Sequence, residues 1–448
     1  MIKHVAMLVV RLVLSLTFLF SGVVKLIDPR GTQYKLEDYG AALGIGGHLP
    51  EGMSLALACA LAMMEFELGI YLLLGIRRRL VSSVSLCFML LMTPLTLWLA
   101  IKNPVADCGC FGDALVLTNW QTFGKNVVLL VCSVLALRYY KLMPRLITMK
   151  SQWMVALYSF VFACLFMSYN LWRLPIIDFR PYHLGADIRQ AWHDDQQGFG
   201  QYLTTFIMEK DGVQQEFTLE DYPDSTWTFV DTRTTEIEAA KRTGVGDLII
   251  QDAESGEDIT EAILADEGYT FLLVAPYLEQ ADDGVMGEVL TLYDYCLEAG
   301  YSFYCLTASG DKAIATWKEM TGAEYPFCLA DAVVLKTMIR SNPGLMLLHD
   351  GKVVSKWPAS ALPWPPQLEK QMEQKVSSLG ERIAGILCWY ILPLLLFLLI
   401  DAVGLAIMKV KHKHNQTLIN KQKTNEKENR SRQLENEQDP ARRCSTGY

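Results

Sequence analysis

Six long runs with almost no charge interrupt the chain, at about residues 5–24, 53–75, 80–101, 126–140, 153–172 and 384–408. A helix needs roughly 20 apolar residues to cross the hydrocarbon core of a bilayer, so most of these runs are long enough to span. The fourth is short when started at Asn126. Begun at Asn119, taken as an N-cap before "WQTFGKN", it becomes a full span with Trp120 at the interface. Hydrophobic residues make up 51% of the 448 positions, which is too apolar for one ordinary soluble protein and long enough for two or three domains. The first run has a basic start (Lys3, His4, Arg11), but "FLFSGVVKLIDPR" offers no clean small-x-small cleavage site. A retained helix is therefore expected there, not a signal peptide.

Lysine and arginine bias sets the expected orientation. The basic segments are the N-terminus, "GIRRRL" at 75–80, "RYYKLMPRLITMK" at 138–150 and "MKVKHKH" from Met408. They fall on one side of the six spans, so both termini are expected to be cytoplasmic. The loops at about 25–52 and 102–118 and the long segment 173–383 are then expected outside, in a periplasm. The net charge of −9, carried largely by that outer segment, argues against a nucleic-acid partner. Membrane lipid is the first expected partner.

The expected domain plan follows. Residues 1–150 form a four-helix membrane domain, and 151–177 a fifth transmembrane helix. Residues 178–357 form a soluble α/β domain, and 358–383 a proline-rich linker with a juxtamembrane helix. Residues 384–408 form the sixth transmembrane helix, and 409–448 a disordered cytoplasmic tail, too polar to bury a core. Within the soluble domain, "YTFLLVAPY" and "SFYCLTAS" have the length and continuous apolarity of strands buried on both faces. "VMGEVLTLYDYCLEAGY" and "DKAIATWKEMTG" have helical spacing and end at glycine, and "PGLMLLHDGKVVSKW" is a hairpin turning at Asp350-Gly351. The order implies a mixed sheet with helices on both faces.

Several stretches resemble known families. "FSGVVKLIDP" at 20–29, "YKLEDY" at 34–39, "ELG" at 67–69 and "DCGCFGD" at 107–113 resemble the DoxX/MauE group of four-helix membrane proteins. "QDAESGEDITEAILADEGYTFLLVAP" and "SNPGLMLLHDGKVV" resemble thioredoxin-like proteins of the peroxiredoxin and TlpA type, the second at the segment where that fold carries a cis-proline. The combination is similar to membrane proteins of Bacteroides-type bacteria. The resemblance implies a polytopic α-helical bundle joined to a thioredoxin-like domain, and a partner groove beside Pro343. It fails at one place: the family's cysteine should follow the first central strand, where this chain has "APYLEQADDGV", and no cysteine occurs between Cys164 and Cys296. Cys296, Cys305 and Cys328 are expected to be inert core thiols.

Redox chemistry is thus left to Cys108 and Cys110, in the loop after the third span. A bridge between residues two apart is strained even with Gly109 to bend the backbone. A strained bridge is easily reduced, which suits an exchanging pair. The alternatives are a structural pair, or an incomplete metal site with Asp107 or Asp113, where two sulfurs without a histidine fall short of a zinc set. In the second span Glu65 and Glu67 mark a polar site, with Glu67 expected to face inward. Lys25 is expected as an interfacial anchor that could contact an anion. The functional expectation is thiol–disulfide or electron transfer with a periplasmic redox protein or client, as an oxidoreductase or an accessory subunit. By analogy with other membrane thiol oxidases, a membrane quinone is the candidate cofactor. The competing expectation is a non-enzymatic scaffold or assembly factor with a redox-inert binding domain.

Overall fold

The computed structural model describes residues 2–44, 50–105, 107–198, 202–210, 213–217, 228–236, 244–366, 368 and 379–438. Among them six helices are long and apolar enough to cross a membrane. They lie within α1 (Ile2–Ile27), α3 (Glu51–Leu74), α4 (Arg78–Lys102), α5 (Asn119–Arg138), α6 (Gln152–Trp172) and α12 (Leu379–Gln438), where Gly380–Ile407 is the apolar part. A seventh helix, α2 (Pro29–Ala42), follows α1 after a break at Asp28. Asp28 caps it by accepting from Gly31 N at 2.9 Å, and Pro29 begins it where no backbone donor is needed. The start of α5 differs from expectation. Thr118 is its N-cap, in a reciprocal box with Gln121. Asn119 instead ties the neck of the preceding loop, its Nδ2 donating to Asn103 Oδ1 at 2.8 Å and Val105 O at 2.9 Å.

Buried polar side chains satisfy helix ends at the far side of the bundle. Arg11 is 2% exposed and donates to Leu72 O at 2.7 Å, to Leu73 O and to Pro144 O at 2.8 Å, tying the end of α3 to the segment before α6. Asp401 of α12 accepts from Thr148 N at 2.9 Å and from the Thr148 and Ser151 hydroxyls at 2.5 Å, which pins the last span to the start of α6. The tail beyond 408, expected to be disordered, continues as helix to Gln438. It contains no proline or glycine between 409 and 438, and its Lys, Glu, Gln and Asn residues propagate a helix already nucleated in the span. Most of the proposed juxtamembrane helix and residues 439–448 lie outside the described residues.

The soluble domain is built on a six-stranded sheet of order β4-β7-β6-β5-β8-β9. Its strands are β4 (Gln251–Asp252), β5 (Tyr269–Val274), β6 (Ser302–Thr307), β7 (Phe327–Leu329), β8 (Gly344–His349) and β9 (Lys352–Pro358). β5 and β6 run parallel, β8 is antiparallel to β5, and β9 is antiparallel to β8. Alternate residues of β5 serve two cores. Leu272 and Val274 face α8 (Thr260–Leu264) and α11 (Ala332–Met338), whereas Phe271 and Leu273 face α9 (Met286–Ala299) and α10 (Asp311–Thr321). A βαβ unit, a further helix and an antiparallel hairpin entered through the cis Asn342-Pro343 peptide define a thioredoxin-like fold. The hairpin turns at Asp350 and Gly351, both with positive φ (49° and 70°), as the expected two-residue turn requires. Before the sheet come α7 (Ile188–Gly198) and a separate three-stranded antiparallel sheet of order β2-β1-β3, formed by β1 (Tyr202–Lys210), β2 (Val213–Phe217) and β3 (Thr228–Glu236). Sequence reasoning passed over that small sheet, although "EKDGVQQEF" carries the Asp-Gly of a hairpin.

Candidate functional site

Two glycines let α1 and α3 approach backbone to backbone. A Cβ on Gly69 would lie 2.6 Å from Leu19 N, and one on Gly22 would overlap Phe66 N. This closeness brings Lys25, one turn beyond Gly22, against Glu65, the neighbour of Phe66. Lys25 Nζ lies 2.7 Å from Glu65 Oε2, and both side chains are buried. An ammonium has three donors, and here each has a partner: Glu65, Ser21 Oγ at 2.6 Å and Cys110 O at 2.8 Å. Ser21 Oγ also donates to Cys110 O at 2.6 Å. A buried ion pair is tolerable when its remaining donors are satisfied in this way. The expectation that Lys25 is an interfacial anchor is therefore corrected: it is 4% exposed and sits beneath the cysteine loop. Glu65, not Glu67, faces this site. Residues two apart on a helix are about 200° apart, so only one can do so. Glu67 turns instead toward Tyr71 and, from α12, Tyr390.

The same loop is gripped from above by α2. Lys35 Nζ pairs with Asp107 Oδ2 at 2.9 Å, and Tyr39 OH donates to Cys108 O. Asp107 Oδ1 accepts from Gly109 N at 2.8 Å, and Gly112 N closes a turn on Gly109 O at 3.0 Å. Gly109 has φ +62°, and a Cβ there would lie 3.0 Å from Lys35 Cγ, so this position takes no other residue without strain. Held by both carbonyls and by the Gly109 turn, the Cys108 and Cys110 sulfurs come within 2.8 Å as free thiols. That is inside ordinary contact and longer than the roughly 2.05 Å of a disulfide bond. Phe111 packs edge-on against Phe20 at 5.1 Å, and Lys125 Nζ lies 4.1 Å from its ring centre.

The two thiols are not equivalent. Either sulfur can donate in the hydrogen bond between them, and this contact, working against burial and aided by Lys125 and Lys25, holds the Cys110 thiol down at about 6. The same hydrogen bond, together with burial, pushes Cys108 up. The pair thus gives up its first proton more readily than an ordinary thiol and holds its second more tightly. Among the described residues no three His, Cys, Asp or Glu side chains gather as a metal site.

The soluble domain reaches this loop through Arg340, on the segment just before Pro343. Arg340 Nε and Nη2 each lie 2.9 Å from Asp28 Oδ2, and Nη2 lies 3.5 Å from Asp113 Oδ2. Burial would raise the Asp28 carboxyl, but the charges of Arg340 and Arg180 and the hydrogen bonds from Arg340 and Gly31 N hold it below the usual range; Asp113 is raised by burial. Tyr34 of α2 lies under both Arg340 and Lys336, at 5.2 and 4.7 Å. These contacts put α2, the cysteine loop and the soluble domain on one side of the bundle.

The structure thus gathers Cys108, Cys110, Lys25 and Glu65, leaves Glu67 elsewhere, and buries Pro343 three residues beyond Arg340. Sequence reasoning did not assign Ser21, Lys35, Tyr39 or Arg340. Lys35 and Tyr39 are i and i+4 within "YKLEDY", a spacing that puts both on one helix face. Arg340 carries no such signal, because its partner Asp28 is 312 residues away. Cys296, Cys305 and Cys328 are fully buried in the sheet cores, and burial pushes Cys296 and Cys328 up to about 12.

The molecule is therefore a multi-pass membrane protein whose helical bundle carries a paired-cysteine loop under a docked thioredoxin-like domain. Residues 3–140 match the family model for methylamine utilisation protein MauE. Residues 202–239 match a domain of unknown function (DUF8463), which covers the small β1–β3 sheet. No curated protein matches. A solution structure from Bacteroides thetaiotaomicron, provisionally named a protein disulfide isomerase, is similar at 13% identity, covering 28% of this chain and 86% of that one with a TM-score of 0.24. The fold assignment rests on strand order, not on that likeness.

Proposed function

We propose that Cys108 and Cys110 form a thiol–disulfide exchange site on the outer face of a bacterial inner membrane, serving a periplasmic redox protein or client. The observation that carries this reading is the pair of free sulfurs 2.8 Å apart on a loop whose two carbonyls are clamped by Lys25, Ser21 and Tyr39. In the reducing direction the Cys110 thiolate attacks one sulfur of a client disulfide. A Cys110–client bond forms and the client's other sulfur leaves as a thiolate. Cys108 then passes its proton to the released client thiolate and attacks Cys110 Sγ, closing the Cys108–Cys110 bond and releasing the second client sulfur as a thiolate. The steps run backward when the client is oxidised. Repeated oxidation of clients requires a two-electron acceptor, for which a membrane quinone is the class proposed. The basic segments at 75–80 and 138–150 lie on the opposite side from the cysteine loop, which supports an outward-facing pair.

The test is thiol trapping in intact cells with a mass-shifting maleimide, with and without prior reductant. Cys108 and Cys110 should shift between protected and labelled forms, and replacing both with serine should leave periplasmic client thiols unpaired. A pair that stays reduced throughout, or a double variant with unchanged periplasmic disulfides, defeats the proposal. A second reading, a non-enzymatic assembly factor, is favoured by "APYLEQADDGV", which has no cysteine after β5. Its mark is a stable partner crosslinked beside Pro343 even when both loop cysteines are removed.

A further inference from the structure

A cavity between α1, α4 and α5 meets the thiol pair from inside the bundle. Cys110, Phe111 and Lys125 line its polar end, and Phe88, Met89 and Met92 its apolar side. Lys125 lies six residues into α5, about 9 Å from the end that joins the cysteine loop, so the loop dips below the helix ends to reach it. The other polar side chains of the lining are engaged. Ser21 and Glu65 hold Lys25, Thr17 donates to Val13 O at 2.8 Å, and Asn126 donates to Thr96 Oγ1 at 3.2 Å. Lys125 differs. Its ammonium rests 4.1 Å from the centre of the Phe111 ring, and among the described residues it has no hydrogen-bond or carboxylate partner. A lysine at that depth is costly unless an acceptor reaches it.

One edge of the cavity faces lipid. Thr17, Phe88 and Met92 are partly exposed there, and their chain neighbours Leu16 and Leu91 are 55% and 65% exposed. Between α1 and α4 the gap is closed by side chains, Phe18 against Phe88 at 5.6 Å. From this arrangement, and resting on the exchange reading above, we infer the docking site of the two-electron acceptor: the carbonyl edge of a quinone enters from the lipid between α1 and α4 and accepts a hydrogen bond from Lys125 beside Cys110. The enclosed space, about 40 Å³, takes a carbonyl group and neither a peptide nor a lipid headgroup. The ring and tail then lie outside it along Phe88 and Met92, whose aromatic and polarizable surfaces suit a flat ring. Lys25 neutralises Glu65, so no uncompensated carboxylate repels the oxygen. In the step, the Cys110 thiolate and the Cys108 thiol lose two electrons as the S–S bond forms. The two quinone carbonyls become hydroxyls, one proton coming from Cys108 and one from water.

The experiment uses the reduced full chain in phosphatidylcholine nanodiscs and two oxidants, a ubiquinone with one isoprene unit and 2,2′-dipyridyl disulfide. The second attacks thiols from water and needs no acceptor site, so the ratio of the two rates separates docking from thiol reactivity. Lys125→Met and Met92→Trp, the latter filling the lipid edge, should each lower that ratio about tenfold, mainly through a higher KM for quinone. Tenfold is what one hydrogen bond to a charged group supplies. An azido derivative of the quinone should photolabel residues 88–92 of the unaltered protein, and excess unmodified quinone should remove the label; this readout decides where a variant does not fold. Unchanged ratios in both variants, or labelling elsewhere, overturn the inference and leave the exchange reading intact. Label displaced by phosphatidylglycerol as readily as by quinone marks an anionic-lipid site and overturns it too. Failure of both oxidants to join Cys108 to Cys110, although both cysteines alkylate, defeats the exchange reading itself.

Discussion

The least conspicuous residue of the site, Lys25, does the most to organise it. It ties a carbonyl of the cysteine loop to a buried carboxylate and, with Lys125, sets a positive field beneath Cys110. Since the folded Cys110 thiol is held near 6, below its ordinary 9.0, this group stabilises the reduced fold at pH values above 9.0. That contribution fades as pH falls through about 6. Iodoacetamide labelling of Cys110 should accordingly rise across pH 6 and level off before pH 8. In Lys125→Gln the midpoint should move upward. A profile still climbing at pH 9 in the unaltered protein would show an ordinary thiol. At this scale the cysteines and both glutamates were visible in the sequence. Which glutamate faces the site was not, because both are equally apolar in their surroundings along the chain, and the choice rests on the Gly22 and Gly69 contact between α1 and α3.

Among the elements, α2 holds the cysteine loop through Lys35 and Tyr39, caps its own start with Asp28, and through Asp28 receives Arg340 from the soluble domain. Removing one partner of a buried ion pair strands the other, at a cost of about 3–5 kcal/mol. Arg340→Ala should therefore loosen the soluble domain from the bundle. The readout is faster proteolysis of the 173–178 connection and a wider distance distribution between spin labels on α2 and α11; both values unchanged would mean that the docking rests elsewhere. Strand lengths, glycine helix stops and the Asp350-Gly351 hairpin were legible, since each follows from local burial pattern or backbone freedom. The cap of α5 was misplaced by one residue, because Thr118 and Asn119 are both good caps and only the reciprocal bond from Gln121 separates them.

For the whole molecule, the contacts of Arg340 place α2, the cysteine loop and the thioredoxin-like domain on one face, whichever way the bundle is inserted. A membrane-impermeant maleimide should label a cysteine introduced at Ser255 on intact cells whose outer membrane has been made permeable. A cysteine introduced at Arg79 should react only after lysis. Labelling in the reverse pattern would put the thiol pair in the cytoplasm and remove its oxidising surroundings. The sequence by itself determined the spans, the mixed sheet and the position of the paired thiols, because apolar length, strand burial and cysteine spacing are local properties of the chain. Only the tertiary structure decided that Lys25 and Glu65 lie beneath the cysteine loop and that the thioredoxin-like domain docks beside it through Arg340. Those contacts join residues 40 and 312 positions apart, and no local pattern encodes such a pairing.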